Sequence, residues 1–397
     1  MAVYYKSSMH TIDKLLSFLT KEEFAQFAFD TKVDKHTKKL HGELLFKLLL
    51  YCLVREKDNS LRGMQSALES SVFRALADIS ADSKIAHSSI SERLNIINPE
   101  FFEKIFKHCL KKYGTQSANE KYNIVRFDST IVSLSTSLIK IGYNLKGGDA
   151  GNYRLLKFTV GYSDLPECVC FYTDQTYNSE NVALTETIAA NQINEKQINV
   201  FDRGITARNN YDKLTGNNIL FVSRLNPGAK QELHTSSKIK KTIHTKTLII
   251  TGDKWVYLFT QTKKRTAHPV RLIEAKTKVD GTSVVFITNI KEIDAAEVTE
   301  IYKSRWDIEV FFKFIKQHLN FSHLLNRTEN GIKVVMYATM TLAILLAEYK
   351  KMFNLKGFKI PKRRFAQELE NDLIYSLILA CKGDAEIAKK LIYKNSS

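Results

Sequence analysis

The stretch QINVFDRGITARNNYDKLTGNNILFVSRL (residues 197–225) decides the fold class. Its two ends, QINVFD and NNILFVSRL, are short runs rich in β-branched and apolar residues, which is typical of strands. The segment between them, TARNNYDKLTG, has the spacing of a helix. The stretch therefore predicts a strand–helix–strand unit.

Further strand-like runs lie upstream of this unit. They are YNIVRFDST (122–130), RLLKFTVGY (154–162) and ECVCFYTD (167–174), and the helical segment NVALTETIAANQ (181–192) follows them. Antiparallel strands followed by strand–helix–strand units predict an α/β fold with a mixed sheet covered by helices.

The N-terminal region has a different pattern. Apolar residues recur every three or four positions over residues 12–29 and 42–56, which predicts helices. The run from Ser89 to Glu92 has the form of a capping box, and we expect another helix over residues 100–113.

The region downstream of the core alternates again. Residues 226–290 are strand-like with Lys-rich turns, which predicts a β-rich insertion, and helices are expected over about 297–318 and 331–351. A basic helical tail ends the chain. We therefore expect a helical N-terminal domain (1–118), the first part of a core (119–225), a β-rich insertion (226–290), the second part of the core (291–350) and a helical C-terminal region (351–397).

Composition and charge narrow the function. The chain has 397 residues, and 59 Lys and Arg against 42 Asp and Glu give a net charge of +17 that is spread along the sequence. A polyanion is the expected partner. With only 5 Pro and 16 Gly, the composition is that of a folded globular protein.

Cysteines and apolar runs indicate the compartment. The five cysteines are an odd number without a Cys-x-x-Cys pair, so no disulfide framework or zinc ribbon is expected, and a reducing cytoplasm fits. No secretory signal is visible at the start. The longest apolar run, 334–347, is shorter than the roughly 20 residues that span a bilayer, so we expect a buried helix and no membrane partner.

The segment YKSRWDIEVFFKFIK (302–316) carries the most chemistry. In a continuous helix, four hydrogen-bonding side chains lie within about 40° of Glu309, and the apolar residues face another side; the four are Tyr302, Arg305, Lys313 and Lys316. Such a face suits phosphate oxygens. The alternative is an ordinary amphipathic helix whose charges form i, i+4 ion pairs in solvent.

Two aspartates follow predicted strands. Asp128 ends YNIVRFDST and Asp202 ends QINVFD, so both are expected at the sheet edge where α/β proteins hold ligands. Each is alternatively a turn former or helix cap. If both converge with Glu309, a cation must neutralise them, and magnesium suits an oxygen-only site for phosphodiester transfer.

These residues resemble DDE transposases of the insertion-sequence-four group. The signature of that group, Y-(2)-R-(3)-E-(6)-K, is matched by Tyr302, Arg305, Glu309 and Lys316. FDST with Asp128, VFDRGIT with Asp202 and Arg203, and FITN at 286–289 also resemble the family. The resemblance covers roughly residues 120–350.

The resemblance implies a ribonuclease-H-like catalytic core, a DNA-binding role for the helical N-terminal domain (1–118) and a set of roles for the site residues. Asp128, Asp202 and Glu309 would be the catalytic triad that binds magnesium, for which manganese can substitute. Contacts to DNA phosphates would come from Tyr302, Arg305, Lys313, Lys316 and Arg203. The implied partners are double-stranded DNA, as terminal inverted repeats and target, and a second copy of the chain when two ends are paired. A bacterial, nucleoid-associated location is implied.

Two other functions stay open from the sequence. One is a metal-dependent nuclease of the same fold that cuts without joining, and the other is a non-catalytic DNA-binding protein derived from a transposase. The three acidic positions argue against the second.

Several basic segments are further candidates for DNA contact. Clusters at 238–241, 263–265 and 362–364 either follow the DNA backbone or serve solubility. The segment SSISERLN (88–95) is either a recognition helix with Arg93 at base edges or an ordinary short helix.

Overall fold

The structure is a computed structural model. It describes residues 17–55, 60–70, 73–74, 77, 79, 84–114, 122–135, 143–144, 153–172, 174–236, 242–319, 328–380 and 383–384. The helices in this part of the chain are α1 (Lys21–Thr31), α2 (Gly42–Val54), α3 (Leu61–Glu69), α4 (His87–Ile96), α5 (Glu100–Tyr113), α6 (Glu180–Ala190), α7 (Arg208–Gly216), α8 (Ala295–Lys303), α9 (Trp306–His318), α10 (Glu329–Met352) and α11 (Lys359–Ala380). The strands are β1 (Asn123–Ser135), β2 (Tyr143–Asn144), β3 (Tyr153–Tyr162), β4 (Pro166–Tyr172), β5 (Gln197–Phe201), β6 (Leu220–Leu225), β7 (Gln231–Ser236), β8 (Ile243–His244), β9 (Leu248–Leu258), β10 (Val270–Thr277) and β11 (Ser283–Thr288).

All of these strands belong to one sheet. Its core has the order β4-β3-β1-β5-β6, in which β4, β3 and β1 pair antiparallel and β1, β5 and β6 pair parallel. Helices α6 and α7 lie in the connections to β5 and β6. This order and these connections are those of a ribonuclease-H-like fold, and the predicted mixed α/β sheet is confirmed.

The residues after 225 extend the same sheet. Strand β11 pairs antiparallel with β6, and β10, β9 and β7 follow outward. The predicted β-rich character is therefore correct, but the segment continues the core sheet instead of forming a separate layer. The sequence pattern had not separately indicated β10, which lies between β9 and β11.

Alternating side chains divide the core between the two faces of the sheet. Val125 and Phe127 of β1 and Phe201 of β5 pack in one apolar cluster with residues of α6 and α7. Ile198 and Val200 of β5 belong to the other cluster, which includes residues of α8. Side chains alternate along a strand, so Asp128, which follows Phe127, and Asp202, which follows Phe201, are directed to the α8 face.

Contacts divide the chain into two compact units. The first comprises residues 1–115, 138–141 and 313–397, and the second comprises 116–137 and 142–312. In the first unit, α10 is long and apolar enough to cross a membrane but is mostly buried, and it packs against α2, α4 and α5. The predicted buried helix is therefore confirmed. The functions expected for the five sequence ranges stay predictions.

Two helix starts differ from the sequence prediction. Residues 1–16 lie outside the described part, and α1 begins only at Lys21, where Thr20 and Glu23 form a capping box. The capping box predicted at Ser89 is wrong, because α4 already begins at His87. The backbone N–H of His87 donates to Gln65 Oε1 at 3.0 Å, so a side chain from α3 satisfies this helix start.

The predicted role of Arg93 at base edges is also wrong. Its side chain is buried, and Nε and Nη2 donate to the carbonyls of Leu40 and Val33 at 2.9 and 2.7 Å. A guanidinium held beneath the surface in this way cannot reach a groove of DNA. The periodicity of the sequence could not reveal that Arg93 is buried, because both acceptors are more than fifty residues away along the chain.

Candidate active site

The register between β1 and β5 brings two aspartates side by side. The parallel pairing ends at Phe127 and Phe201, and Asp128 and Asp202 are the next residues on each chain segment. Both are directed to the α8 face, for the reason given above. The expectation that Asp128 ends its strand is wrong, because β1 continues to Ser135 against β3; only its pairing with β5 ends there.

Burial gives Asp128 an unusual protonation equilibrium. Desolvation raises the pKa of Asp128 to about 6, and the negative charges of Glu180 and Asp202 act in the same direction. The N–H of Ser129, which donates to Asp128 Oδ1 at 2.7 Å, and the charge of Arg305 oppose this rise. The aspartates are thus close enough to repel each other, and a nearby cation favours their charged forms.

Tyr302, near the end of α8, contacts the second aspartate directly. Its hydroxyl donates to Asp202 Oδ1 at 3.0 Å, and its ring packs edge-on against Phe286. Burial and the charge of Asp202 raise the pKa of Tyr302 to about 12, so the hydroxyl keeps its proton at neutral pH. Tyr302 therefore orients the Asp202 carboxylate as a hydrogen-bond donor.

The predicted single helix over 297–318 is interrupted. Helix α8 ends at Lys303, Ser304 and Arg305 form a turn, and α9 begins at Trp306. The Ser304 hydroxyl donates to the carbonyl of Ile301 at 2.7 Å, a local bond that competes with regular helix. The helical angles calculated from the sequence do not apply across this break.

Arg126 of β1 stabilises the break between α8 and α9. Its Nε donates to the carbonyl and hydroxyl oxygens of Ser304 at 2.9 and 3.2 Å, and its Nη1 donates to the Ser163 carbonyl at 3.1 Å. Its Nη2 lies 3.3 Å from Asp307 Oδ2. A largely buried arginine, two residues before Asp128, thus ties the start of α9 to the strand that carries the first aspartate.

Glu309 is held on α9 by an arginine. Arg305 Nη2 donates to Glu309 Oε1 at 2.5 Å, and the guanidinium lies 5.8 Å from the centre of the Tyr302 ring. Phe311, two residues after Glu309, stacks on Tyr162 of β3 at 4.6 Å and fixes this part of α9 on the sheet. The charge of Arg305 acts to lower the pKa of Asp128, and the charge of Asp202 acts to raise the pKa of Arg305.

One atom of Arg305 is left without a partner. Its Nε is buried and forms no hydrogen bond with the described residues. A buried donor without an acceptor is costly and uncommon. The guanidinium therefore has capacity for one more anionic or carbonyl oxygen.

The other predicted contact residues are at the surface. Arg203, next to Asp202, and Lys313 and Lys316, on α9, have exposed side chains, the two lysines lying in the first compact unit. Of the basic clusters, 238–241 lies outside the described residues, Lys362 is buried, and Arg265 pairs with Glu232 at 2.8 Å.

Sequence reasoning missed two charged residues near Asp128. Glu180, the first residue of α6, packs so closely on Gly204 that a Cβ there would lie 1.6 Å from Glu180 Oε2. Lys157 of β3 is 2% exposed and donates to the Asn178 carbonyl at 3.1 Å. Glutamate in a first helical turn is common and gave no signal, whereas a lysine inside an apolar strand could have been noticed.

The carboxylate oxygens of Asp128, Asp202 and Glu309 are ligands of the kind that a hard divalent cation prefers. In the part of the chain that the structure describes, no three His, Cys, Asp or Glu side chains are close enough together to hold one. The shared cation site of Asp128, Asp202 and Glu309 therefore stays a prediction. In this structure Arg305 occupies one of the two carboxylate oxygens of Glu309, Oε1.

The order of the core strands defines a ribonuclease-H-like fold, with Asp128 on β1 and Asp202 directly after β5. A family model described as a transposase DDE domain matches residues 119–346, more than half of the chain. The chain belongs to this family.

Named relatives agree with this assignment. “Putative transposase y4zB” of Sinorhizobium fredii is 25% identical over 196 residues, which cover 49% of this chain and 54% of that protein. “Probable transposase for insertion sequence element IS5377” of Geobacillus stearothermophilus is 22% identical over 322 residues, or 77% of this chain and 80% of that protein. “Putative transposase for insertion sequence element IS4SA” of Synechocystis is 25% identical over 245 residues, or 56% and 59%. The chain thus spans little more than half the length of the first relative.

Proposed function

We propose that this chain is the DNA transposase of an insertion sequence. It binds the terminal inverted repeats of its element and catalyses magnesium-dependent cleavage and strand transfer in the bacterial cytoplasm. Manganese can substitute for magnesium. Double-stranded DNA, as element ends and target, is the substrate, and two copies of the chain act together when two ends are paired.

One observation carries this proposal. The register of β1 and β5 sets Asp128 beside Asp202, and the following helices present Tyr302, Arg305 and Glu309 to the same face of the sheet. A rigid strand pair is a suitable support for acids that must keep a fixed spacing.

Asp128, Asp202 and Glu309 would hold the magnesium. When bound, it would activate the attacking oxygen and stabilise the leaving oxygen of the phosphodiester. The pKa of about 6 leaves most Asp128 ionised at neutral pH, as ligation requires.

The neighbouring residues prepare the acids and bind DNA. Tyr302 orients Asp202 through its hydroxyl. Arg305 holds Glu309 until a DNA phosphate replaces that carboxylate, and its unpartnered Nε is the second donor for a bidentate contact. Arg203, Lys313 and Lys316 supply further phosphate contacts.

The test is cleavage of DNA that carries the element's own ends. Asp128→Asn, Asp202→Asn and Glu309→Gln are each expected to lower nicking at least about 10³-fold, because each loses a charged metal ligand. Binding of the uncut end, measured by gel shift, should change little. Asp164→Asn, an exposed aspartate in the turn between β3 and β4, is the matched control and should nick normally.

Nicking at the wild-type rate by any of the three variants would remove that residue from the triad. A second arm supplies a pre-cut end with a free 3′ hydroxyl and a supercoiled target. Joined product is expected from a transposase, whereas nicking without joining would favour a nuclease. End binding without activity in magnesium or manganese would favour a non-catalytic DNA-binding protein.

A further inference from the structure

The first compact unit contains a cavity beside the loop that joins α1 to α2. Its volume is about 620 Å³, within the usual range of ligand-binding clefts. Its lining includes apolar side chains, among them Phe24, Leu44 and Ile85, and the basic side chains of Lys21 and Lys38. The cavity therefore suits a ligand with one apolar and one anionic part.

A buried arginine holds the loop beside this cavity in one shape. Arg93 donates to the carbonyls of Val33 and Leu40, and its Nη2 lies 3.3 Å from Asp34 Oδ1. The same carboxylate oxygen accepts the N–H of Gly42 at 2.7 Å. These bonds pin both ends of the loop, so the lysines between them project from a fixed backbone.

The loop backbone is also strained. Lys32 and His36 have φ of 52° and 64°, a left-handed conformation that costs a residue with a Cβ roughly 1 kcal/mol or more. Such strain persists only where the surrounding contacts impose it. Lys32 is the C-cap of α1, where its N–H donates to the carbonyl of Phe29 at 3.2 Å, and Arg93 holds Val33 and Leu40 on either side of His36. The basic loop is therefore already ordered before any ligand arrives.

The charges at the cavity are unbalanced. Glu43 is engaged by Lys47 at 2.6 Å, and Asp34 is engaged by Arg93 and Gly42. Among the described residues, Lys21 and Lys38 form no ion pair. Lys39 also lines the cavity, and within the described part of the chain its side chain donates to a neutral carbonyl, that of Lys84, at 3.2 Å.

We propose that this cavity binds the sugar–phosphate backbone of the element-end DNA. Lys21, Lys38 and Lys39 contact phosphate oxygens, and the apolar lining residues pack against deoxyribose. This inference rests on the proposed function and replaces Arg93 as the expected DNA contact: Arg93 supports the loop that binds, and does not itself read bases.

The test compares two lysines of one loop in the full-length protein. Lys38 lines the cavity, whereas Lys35 is exposed in the same loop and does not line it. Affinity for a fluorescent end duplex is measured from about 50 to 300 mM salt, since each lost phosphate contact lowers the slope of log K against log salt by about 0.9.

Lys38→Ala is expected to lower the slope by about 0.9 and to weaken binding about fivefold to tenfold near 0.1 M salt. Lys21→Ala combined with Lys38→Ala should lower the slope by about twice as much. Lys38→Arg should restore wild-type behaviour, because the charge is kept, and Lys35→Ala should change neither quantity.

Wild-type slopes in both Lys38→Ala and the double variant would overturn the inference, as would equal losses in Lys35→Ala and Lys38→Ala. As a second readout, end DNA should shield Lys38 but not Lys35 from acetylation by an amine-reactive ester. Shielding of Lys38 by polyglutamate and not by DNA would indicate an acidic protein partner and overturn the DNA assignment. If the wild-type chain fails to bind its end DNA, the proposed function fails as well; if it binds and the variants match it, only this inference fails.

Discussion

Two arginine–carboxylate pairs of the second compact unit are built in opposite ways. In the sheet extension, Arg271 donates Nε and Nη2 to the two carboxylate oxygens of Asp253 at 2.9 and 2.7 Å, and both side chains are 8% exposed. The remaining nitrogen, Nη1, donates to the carbonyls of Ile290 and Ile293 at 3.4 and 2.6 Å. Every nitrogen of this guanidinium has an acceptor.

The pair in the candidate site is incomplete by comparison. Arg305 makes one hydrogen bond to Glu309, whose side chain is 34% exposed, and Arg305 Nε has no acceptor among the described residues. A closed pair fixes geometry, because any rearrangement leaves buried charges unpaired. An open pair can exchange its carboxylate for another anion at little cost. The Arg271–Asp253 pair is therefore suited to holding the sheet extension in one geometry, whereas exchange of the Arg305 partner is part of the proposed function.

Breaking the closed pair should have the largest effect on stability. Arg271→Met leaves Asp253 buried without a partner and frees two carbonyls before α8, so we expect a loss of about 3–5 kcal/mol in the free energy of unfolding. Urea denaturation followed by circular dichroism measures it. Lys254→Met, which breaks the half-exposed pair with Glu274, is the control and should cost less than about 1 kcal/mol.

The double variant Arg271→Met with Asp253→Leu sharpens this prediction. It removes both charges, so most of the lost stability should return. If Arg271→Met alone costs no more than Lys254→Met, the pair is not the support described here.

The sequence predicted the parts of the fold that depend on local pattern. Strands such as QINVF and helices such as Glu100–Tyr113 and Gly42–Val54 follow from periodicity alone, and the aspartates were found because each follows an apolar run. Features that depend on distant partners were missed or wrong. The break at Ser304 needs Arg126, and the buried state of Arg93 needs acceptors from another part of the chain.

The sequence indicated which residues to examine at the candidate site but not how they are paired, and their roles stay predictions. Sequence spacing placed Arg305 and Glu309 within reach of each other, and the i, i+4 ion pair that they form is the one expected of an ordinary amphipathic helix. No pattern could indicate that Arg305 Nε stays unpartnered or that Glu180 lies near Asp128, because both facts depend on how the helices pack on the sheet.

An intermediate effect is expected from Asp128. Its pKa is raised in the folded state to about 6, so stability from this group is fully present below the unfolded pKa and is lost as the pH rises through 6. Asp128→Asn removes this loss, and we expect the variant to be more stable than wild type by about 2 kcal/mol at pH 8, with a smaller gain at pH 5.

Urea denaturation at pH 5 and pH 8, in buffer without magnesium, measures the free energy of unfolding of Asp128→Asn and of wild type. Asp164→Asn is again the control, because that side chain is exposed. An equal gain at pH 5 and pH 8 would mean that the substitution acts through packing and not through charge.

The smallest effect on stability should come from the open pair. Arg305→Met leaves Glu309 able to reach water, so we expect a change of less than about 1 kcal/mol, several times smaller than for Arg271→Met. The same variant should lose about 0.9 from the salt slope of end binding, because one phosphate contact disappears.

If Arg305 gives up Glu309 to a DNA phosphate during the reaction, metal binding should not need the Arg305–Glu309 pair. With Arg305 absent, Glu309 is no longer held, so Arg305→Met without DNA should bind manganese at least as tightly as wild type, measured by electron paramagnetic resonance of the free ion. Arg305→Lys, which keeps a cation but presents fewer donors, should fall between the two. If Arg305→Met instead bound manganese much more weakly while remaining folded, Arg305 would be needed to orient Glu309, and its release by a phosphate could not be part of the reaction.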